Sequence, residues 1–365
     1  MKLKEILNVF EEQAPFSLQE SYDNSGIQYG NPEQEVKRGL VCIDITEPIV
    51  EEAISKGCDL IISHHPLIFK GLKSLDGSHY TQRALIKAIK NDICLVSVHT
   101  NLDSVLAGVN QKLALKIGLE DLKILDTRRG LLKKLVVFCP TDQAEMVRNA
   151  IFAAGAGQIG EYDCCSFNLE GTGSFKGGDN TNPFVGAKGE VHFEKEVRIE
   201  TILPGYLQGK VLKAMIDAHP YEEVAYDLYP LDNTFDKTGM GMVGQLPQPM
   251  EEAAFLAMLG DELGCPAIRH SPFVGKSISK VAVCGGSGSF LRDKAMAAGA
   301  DAFVTADVKY HDFFDVEGVM LLADVGHYES EQFTKEILYE IVTEKFTNFA
   351  LLISDQSSNP VRYFK

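Results

Sequence analysis

The sequence predicts an α/β protein: a discontinuous, two-lobed α/β domain with pseudo-repeated strand–helix units, interrupted by an inserted α+β domain with a ferredoxin-like order of elements. Three observations predict it. Short apolar runs such as Leu60-Ile61-Ile62-Ser63 and Ile93–Val98 read as buried strands, and segments with apolar residues at helical spacing alternate with them. Leu40–Asp44 and Lys56–Ser63 fall over Ala282–Gly286 and Ala298–Thr305 without a gap, and both copies read strand, helix, Gly-x-Asp, strand. Residues 130–235, between the copies, follow a different order.

Along the chain, Met1 to Phe10 spaces Leu3, Ile6, Leu7 and Val9 helically among charges. Leu40–Asp44 opens the first copy, and Pro48–Lys56 carries Ile49, Val50, Ala53 and Ile54 at helical spacing before the strand that ends at Ser63. A helix over Thr81–Lys90 and a strand over Ile93–Val98 complete it. The second copy runs through the strand Lys280–Cys284, the helix Phe290–Ala298, the strand ending at Thr305, a shorter helix Lys309–Phe314 and the strand Val319–Ala323. Alternating units of this kind imply a parallel sheet with right-handed crossovers. Between the copies come a strand Lys134–Cys139, a helix Gln143–Ala154, a strand Asp163–Leu169 and a Gly/Asn-rich loop Gly171–Gly178. Strands Glu190–Phe193 and Val197–Ile202, a helix Gly205–Ala218 and a strand Val224–Leu228 follow. That is close to a doubled β-α-β unit. The domains are therefore 1–129 with 236–365, and 130–235.

At 365 residues the chain is long enough for two domains, each burying a core. Its 45% hydrophobic and 24% charged content is ordinary for a globular protein. A net charge of -16 argues against a nucleic-acid partner, because binding a phosphate backbone rests on clustered Lys and Arg. No stretch approaches the roughly 20 apolar residues that span a bilayer, and Met1–Phe10 lacks the features of a signal peptide. A cytoplasmic location and no membrane partner are expected. The eight cysteines include no C-x-x-C pair and mostly sit in apolar runs, as small buried hydrophobes of a reducing compartment do.

Chemistry concentrates where the apolar runs end. His64-His65 follow one strand, His99 and Asp103 another, and His327 and Glu331 a third. In an open parallel sheet the carboxyl ends of strands are where ligands bind. Imidazoles and carboxylates suit zinc, iron or manganese, and His64, His65, Asp103, His327 and Glu331 together exceed what a closed tetrahedral site needs. Two divalent ions fit better, with zinc the first choice. His327 and Glu331 are spaced i, i+4, which places both on one face of a helix, and Gly326 lets the chain turn sharply into it. His99 reads as a proton shuttle or as a partner that orients a ligand. His79, His192, His219 and His270 lie away from these ends and read as structural or surface groups. Gly285, Gly286 and Ser287 follow a strand and precede a helix, so their backbone N–H groups are candidates to hold an anion; a plain tight turn is the alternative. Thr305, Asp307 and His311 close the next strand as candidates for substrate contact or proton transfer, against a helix cap followed by a surface histidine.

With these residues in view, the chain resembles the NIF-three-like family, the GTP cyclohydrolase 1 type 2 homologues. The resemblance runs nearly end to end. It rests on Asp23–Gln28, Ser63-His64-His65-Pro66, His99–Asp103, His219-Pro220-Tyr221-Glu222-Glu223, Thr305–His311 and Gly326–Glu331. It implies a dinuclear metal centre on His64, His65, Asp103, His327 and Glu331, a toroidal homohexamer, and an insert similar to the PII and CutA proteins. Two residues depart from the family pattern: Tyr22 stands where Trp is usual, and Ala306 where Gly is usual, which is expected to narrow the cleft beside Asp307. The resemblance implies a metal-dependent hydrolase acting on a nucleotide-like substrate, with GTP ring opening the named candidate. The alternative is a non-catalytic metal-binding or regulatory hexamer whose insert senses a ligand.

Overall fold

The computed structural model describes residues 1–364. The chain divides into two compact units, Met1–Thr127 with the chain from Lys237 onward, and Arg128–Asp236. In the first unit, β1 (Gly26–Tyr29), β2 (Arg38–Cys42), β3 (Leu60–Ser63) and β4 (Cys94–Ser97) come from the first apolar runs. Strands β2, β3 and β4 pair in parallel, and β1 lies antiparallel beside β4. Alternate residues feed two different cores. Val41, Leu60, Ile62 and Val96 share one with the helices Leu3–Gln13 and Thr334–Lys345, while Leu40, Ile61 and Leu95 share the other with Glu47–Ser55 and Tyr80–Lys90. Burial on both faces is why the centres of β2, β3 and β4 are apolar. After the helix Val109–Lys116, β5 (Glu120–Arg129) follows.

The second unit contributes β6 (Leu132–Pro140), β7 (Ser166–Lys176), β8 (Val191–Pro204) and β9 (Tyr226–Pro230), with helices Ala144–Ala153 and Gln208–Ala218. The sheet order is β7-β8-β6-β9, and every neighbouring pair is antiparallel. Two expectations need correcting. Gly171–Gly178 is not all loop: Gly171 to Lys176 continue β7, paired with Glu196 to Val191. Likewise Glu190–Phe193 and Val197–Ile202 are not separate strands, because Glu194, Lys195 and Glu196 remain in one 14-residue β8. Glycine and charge signal a turn only where no partner strand is offered; here each segment supplies the other's ladder.

On return to the first unit the chain forms β10 (Thr234–Met250), β11 (Arg269–His270), β12 (Ile278–Val283), β13 (Ala302–Thr305), β14 (Leu321–Asp324) and β15 (Ala350–Ile353). Two sheets result, ordered β1-β4-β3-β2-β15 and β11-β14-β13-β12-β10-β5. Strands β12, β13 and β14 are parallel with β11 antiparallel at the edge, matching β2, β3, β4 and β1. The Gly-x-Asp repeat has a physical cause in both copies. Gly57 and Gly299 adopt φ of 66° and 70°, which only glycine takes readily, to leave the helix. Asp59 then accepts the backbone N–H groups of Lys37 and Arg38, and Asp301 those of Ser279 and Lys280, clamping each strand to the start of its predecessor. In the second copy the expected helix Lys309–Phe314 is only a 3-10 turn, Tyr310–Phe313. Strand β14 starts at Leu321 rather than Val319, which is exposed after the left-handed Gly318.

Candidate metal centre

The strand ends of the two sheets supply one cluster within the first unit. His64 and His65 directly follow β3, His99 and Asp103 follow β4, and Gly326, at φ 94°, turns the chain from β14 into the helix His327–Glu331. All four imidazoles are held by an oxygen on Nδ1. His64 donates to the Val98 carbonyl at 2.9 Å, His65 to Asp44 Oδ1 at 2.7 Å, His99 to Asp23 Oδ1 at 2.7 Å and His327 to Asp307 Oδ2 at 2.6 Å. This leaves Nε2 of each ring as the inward donor, the arrangement that outer carboxylates and carbonyls impose on metal-binding histidines. Glu331 Oε2 lies 3.0 Å from both His65 Nε2 and His327 Nε2, and its Oε1 lies 3.9 Å from His64 Nε2. Two overlapping groups, His64-His65-His99 and His65-His327-Glu331, each bring their donor atoms within 4.8 Å of one another.

Two buried atoms in the cluster have no hydrogen-bond partner: His64 Nε2 and Asp103 Oδ1, which face each other at 3.7 Å. A buried polar atom left unpaired costs about 1–3 kcal/mol, so such atoms call for another explanation. Donors this far apart can share one ion with bonds of about 2.0–2.2 Å, and the nitrogen–oxygen set is one that zinc, iron or manganese accepts. The electrostatics point the same way. Burial opposes charge on His65, but Asp44 and Glu331 outweigh it and raise the imidazole to about 10. Burial is likewise outweighed at His327 by Glu331 and Asp307, which raise it to about 11. Glu331 is held well below the ordinary carboxylate range despite burial, chiefly by His327, whereas burial and the Glu331 charge raise Asp103. The carboxylates thus draw positive charge onto the cluster.

The N–H groups of Gly285 and Gly286, expected to hold an anion, are engaged inside the protein. The N–H of Gly285 donates to Asn110 Oδ1, that of Gly286 to Ser330 Oγ and that of Gly288 to Thr305 Oγ1, so these donors are already spent. Thr305 is fully buried and braces this loop instead of facing a substrate, and Ser287 sits exposed on it. What the loop provides is room. A Cβ on Gly286, whose φ is 58°, would come within 2.3 Å of Glu331 Oε1.

Asp307, expected as a proton-transfer group, is the oxygen that fixes His327. His311 is not brought to the cluster; it is exposed in the 3-10 turn, against Tyr310 and Phe314. Ala306 is buried and does not line the cleft, so its methyl does not narrow it. Tyr22 packs edge-on against Phe69 with centroids 6.3 Å apart. Two orienting carboxylates escaped the sequence reading. Asp44 was visible as the polar residue just beyond β2, and Asp23 within the Asp23–Gln28 motif. A cavity of about 680 Å³ opens beside the cluster, lined by His65, His99, Asp307 and His327 together with Phe69 and Arg269. Asn359 and Tyr363, from the end of the chain, line it too, a closure with no motif to announce it.

Fold and cluster together define a mixed α/β protein of several sheets with a histidine–carboxylate site of metal-binding type. The chain belongs to the Duf34/NIF3 (NGG1p interacting factor 3) family, whose pattern it matches over residues 1–360. It is 38% identical over 364 residues to a Halalkalibacterium halodurans protein called GTP cyclohydrolase 1 type 2 homolog, covering 98% of each chain. A Bacillus subtilis protein of the same name is 38% identical over 370 residues, covering 99% of this chain and 98% of the relative. Among solved structures, a Bacillus cereus protein related to NIF3 superposes with a TM-score of 0.88 at 38% identity, over 100% of this chain and 99% of the other. No helix among the described residues is long and apolar enough to cross a membrane.

Proposed function

We propose that the chain holds two divalent ions on His64, His65, Asp103, His327 and Glu331 and acts as a metal-dependent hydrolase on a nucleotide-like molecule. GTP ring opening, the reaction in its relatives' name, is the first candidate. The observation that carries this reading is the facing pair of buried, unpartnered donors, His64 Nε2 and Asp103 Oδ1. Zinc is the first choice of ion, with iron and manganese the others. Bound at such donors, divalent ions supply Lewis-acid polarisation and make water acidic enough to react near neutral pH.

The chain's own residues do the rest. Glu331 has one oxygen toward His65 and His327 and the other toward His64, so it or Asp103 would be the carboxylate shared by two ions. Asp44 and Asp307 keep two imidazoles aimed inward. His99 lines the cavity with its Nδ1 held by Asp23 Oδ1, which leaves Nε2 as the nitrogen placed to move a proton. Arg269 takes over from the glycine loop as the phosphate contact. It lines the cavity, anchored to Asp324 and the Val308 carbonyl.

Protein loaded in turn with zinc, manganese or iron and given GTP is expected to release formate; no turnover with any of them, at enzyme levels that detect a slow reaction, would remove the cyclohydrolase assignment. The metal assignment has a separate test. His64→Ala and Glu331→Ala should each lower metal stoichiometry by elemental analysis, and wild-type content in both would defeat it.

A second reading is a non-catalytic regulatory protein, a toroidal homohexamer with a PII- or CutA-like insert that senses a ligand. A cavity inside the insert favours it. Sedimentation of a hexamer that keeps its metal yet turns over no substrate would select it.

A further inference from the structure

The run His219-Pro220-Tyr221-Glu222-Glu223 takes no part in the metal centre. Its Tyr221, Glu222 and Glu223 instead wall a cavity of about 400 Å³ inside the second unit. Phe138 and Glu196, from β6 and β8, form another part of the wall. Their chain neighbours Val137, Cys139 and Val197 belong to the core under the helices, so Phe138 and Glu196 face the helix-free side of the sheet. Phe175 of β7 and Phe184 of the following loop complete the aromatic lining. The Tyr221 ring stands 6.0 Å from Phe175 and 6.4 Å from Phe184, so three rings surround one space.

The charge in this space is placed, not incidental. Tyr221 donates its hydroxyl to Glu196 Oε1 at 2.9 Å, and a Cβ on Gly173 would fall 2.1 Å from Glu196 Oε2, so glycine there makes room for the carboxylate. Glu222 accepts the Asn182 N–H at 2.8 Å, tying the Phe184 loop to the run. His219 fixes the run from below, through the Phe138 carbonyl at 2.9 Å and the Tyr221 N–H at 3.1 Å. Three carboxylates line the cavity, Glu196, Glu222 and Glu223, against one ammonium, Lys176. Arg198 reaches the Phe138 ring at 6.0 Å but pairs with Glu200, so the lining keeps a net negative charge.

We propose that this cavity binds an organic cation, an alkyl-substituted or quaternary ammonium group. Aromatic faces and carboxylates both attract positive charge, and the rings also cover the alkyl groups, which a hydrated metal ion lacks. An anion would be repelled, and a neutral molecule would gain only the apolar walls. The site owes nothing to the metal centre, so the two stand or fall separately.

The test uses the full-length protein and choline, read by tyrosine fluorescence, since the chain has 12 Tyr and no Trp, and by ligand-observed NMR. The control is 3,3-dimethylbutan-1-ol, which has the shape of choline without its charge. Saturable choline binding is expected, with the alcohol at least tenfold weaker. Glu196→Gln and Phe184→Ala should each weaken choline at least tenfold with unchanged circular dichroism and metal content. Phe184 is 55% exposed, so its removal leaves the core intact. His64→Ala should bind choline normally. Absence of saturable binding, equal affinity for choline and the alcohol, or wild-type affinity in both cavity variants would overturn the proposal.

Discussion

A partner on one imidazole nitrogen decides which nitrogen is left for a ligand and where it points, and here an oxygen does this four times. The cost of losing one follows. Asp307→Asn keeps the shape but replaces a charged acceptor with an amide, so His327 loses basicity and orientation. Metal affinity is expected to fall about 10–100-fold, measured by competition with a chromophoric chelator, while thermal stability of the metal-free protein changes little. An unchanged affinity would mean that Asp307 does not position His327. Gly286→Ala tests the other side of the cluster. The new methyl meets Glu331 Oε1 in a backbone conformation that alanine resists, so both stability and metal stoichiometry should drop. Restored metal content at low temperature would assign the defect to folding alone.

At the scale of elements, apolar runs buried on both faces were legible because they are short and bounded by turn residues, which favours a central strand over a buried helix. Strand β13 shows the consequence: Phe303 is fully buried in the core that also holds Leu291 and Leu322. Phe303→Ala should cost about 3–5 kcal/mol by urea denaturation, with an unchanged slope. The extent of β7 and β8 was not legible, because long-range pairing decided it where local composition argued for a turn. The insert also carries a pH dependence. Burial lowers the His219 pKa below its ordinary value near 6.5, so the folded state keeps it neutral. Above that value folded and unfolded chains both lack the proton. As pH falls through 6.5 toward the lowered folded value, the unfolded chain binds a proton that the folded one refuses, and stability declines. His219→Gln should flatten the denaturation midpoint between pH 7 and 5; an identical slope would place the dependence elsewhere.

For the whole molecule, the cluster joins chain positions 64, 65 and 103 to 327 and 331, and the repeat explains how residues so distant meet. Donor type and strand-end position were readable in the sequence. The roles of the supports were not, since Asp23, Asp44 and Asn110 matter through contacts that only the folded chain creates. Asn110 shows this well: it donates to the Asp103 carbonyl and accepts from the Gly285 N–H, tying the strand ends of the two lobes. An ion held there by both lobes would cross-link them in the folded state alone. It should therefore stabilise the protein by mass action, by about 2.7 kcal/mol when free metal is a hundred times its dissociation constant. Thermal scans of metal-free protein with increasing zinc should show a midpoint that keeps rising as zinc increases, and chelator should reverse it. In His64→Ala the rise should largely vanish, because the donor facing Asp103 is gone and with it the most buried imidazole of the cluster. A zinc-dependent rise of wild-type size in that variant would show that the ion binds elsewhere and that the two lobes are held together by packing alone.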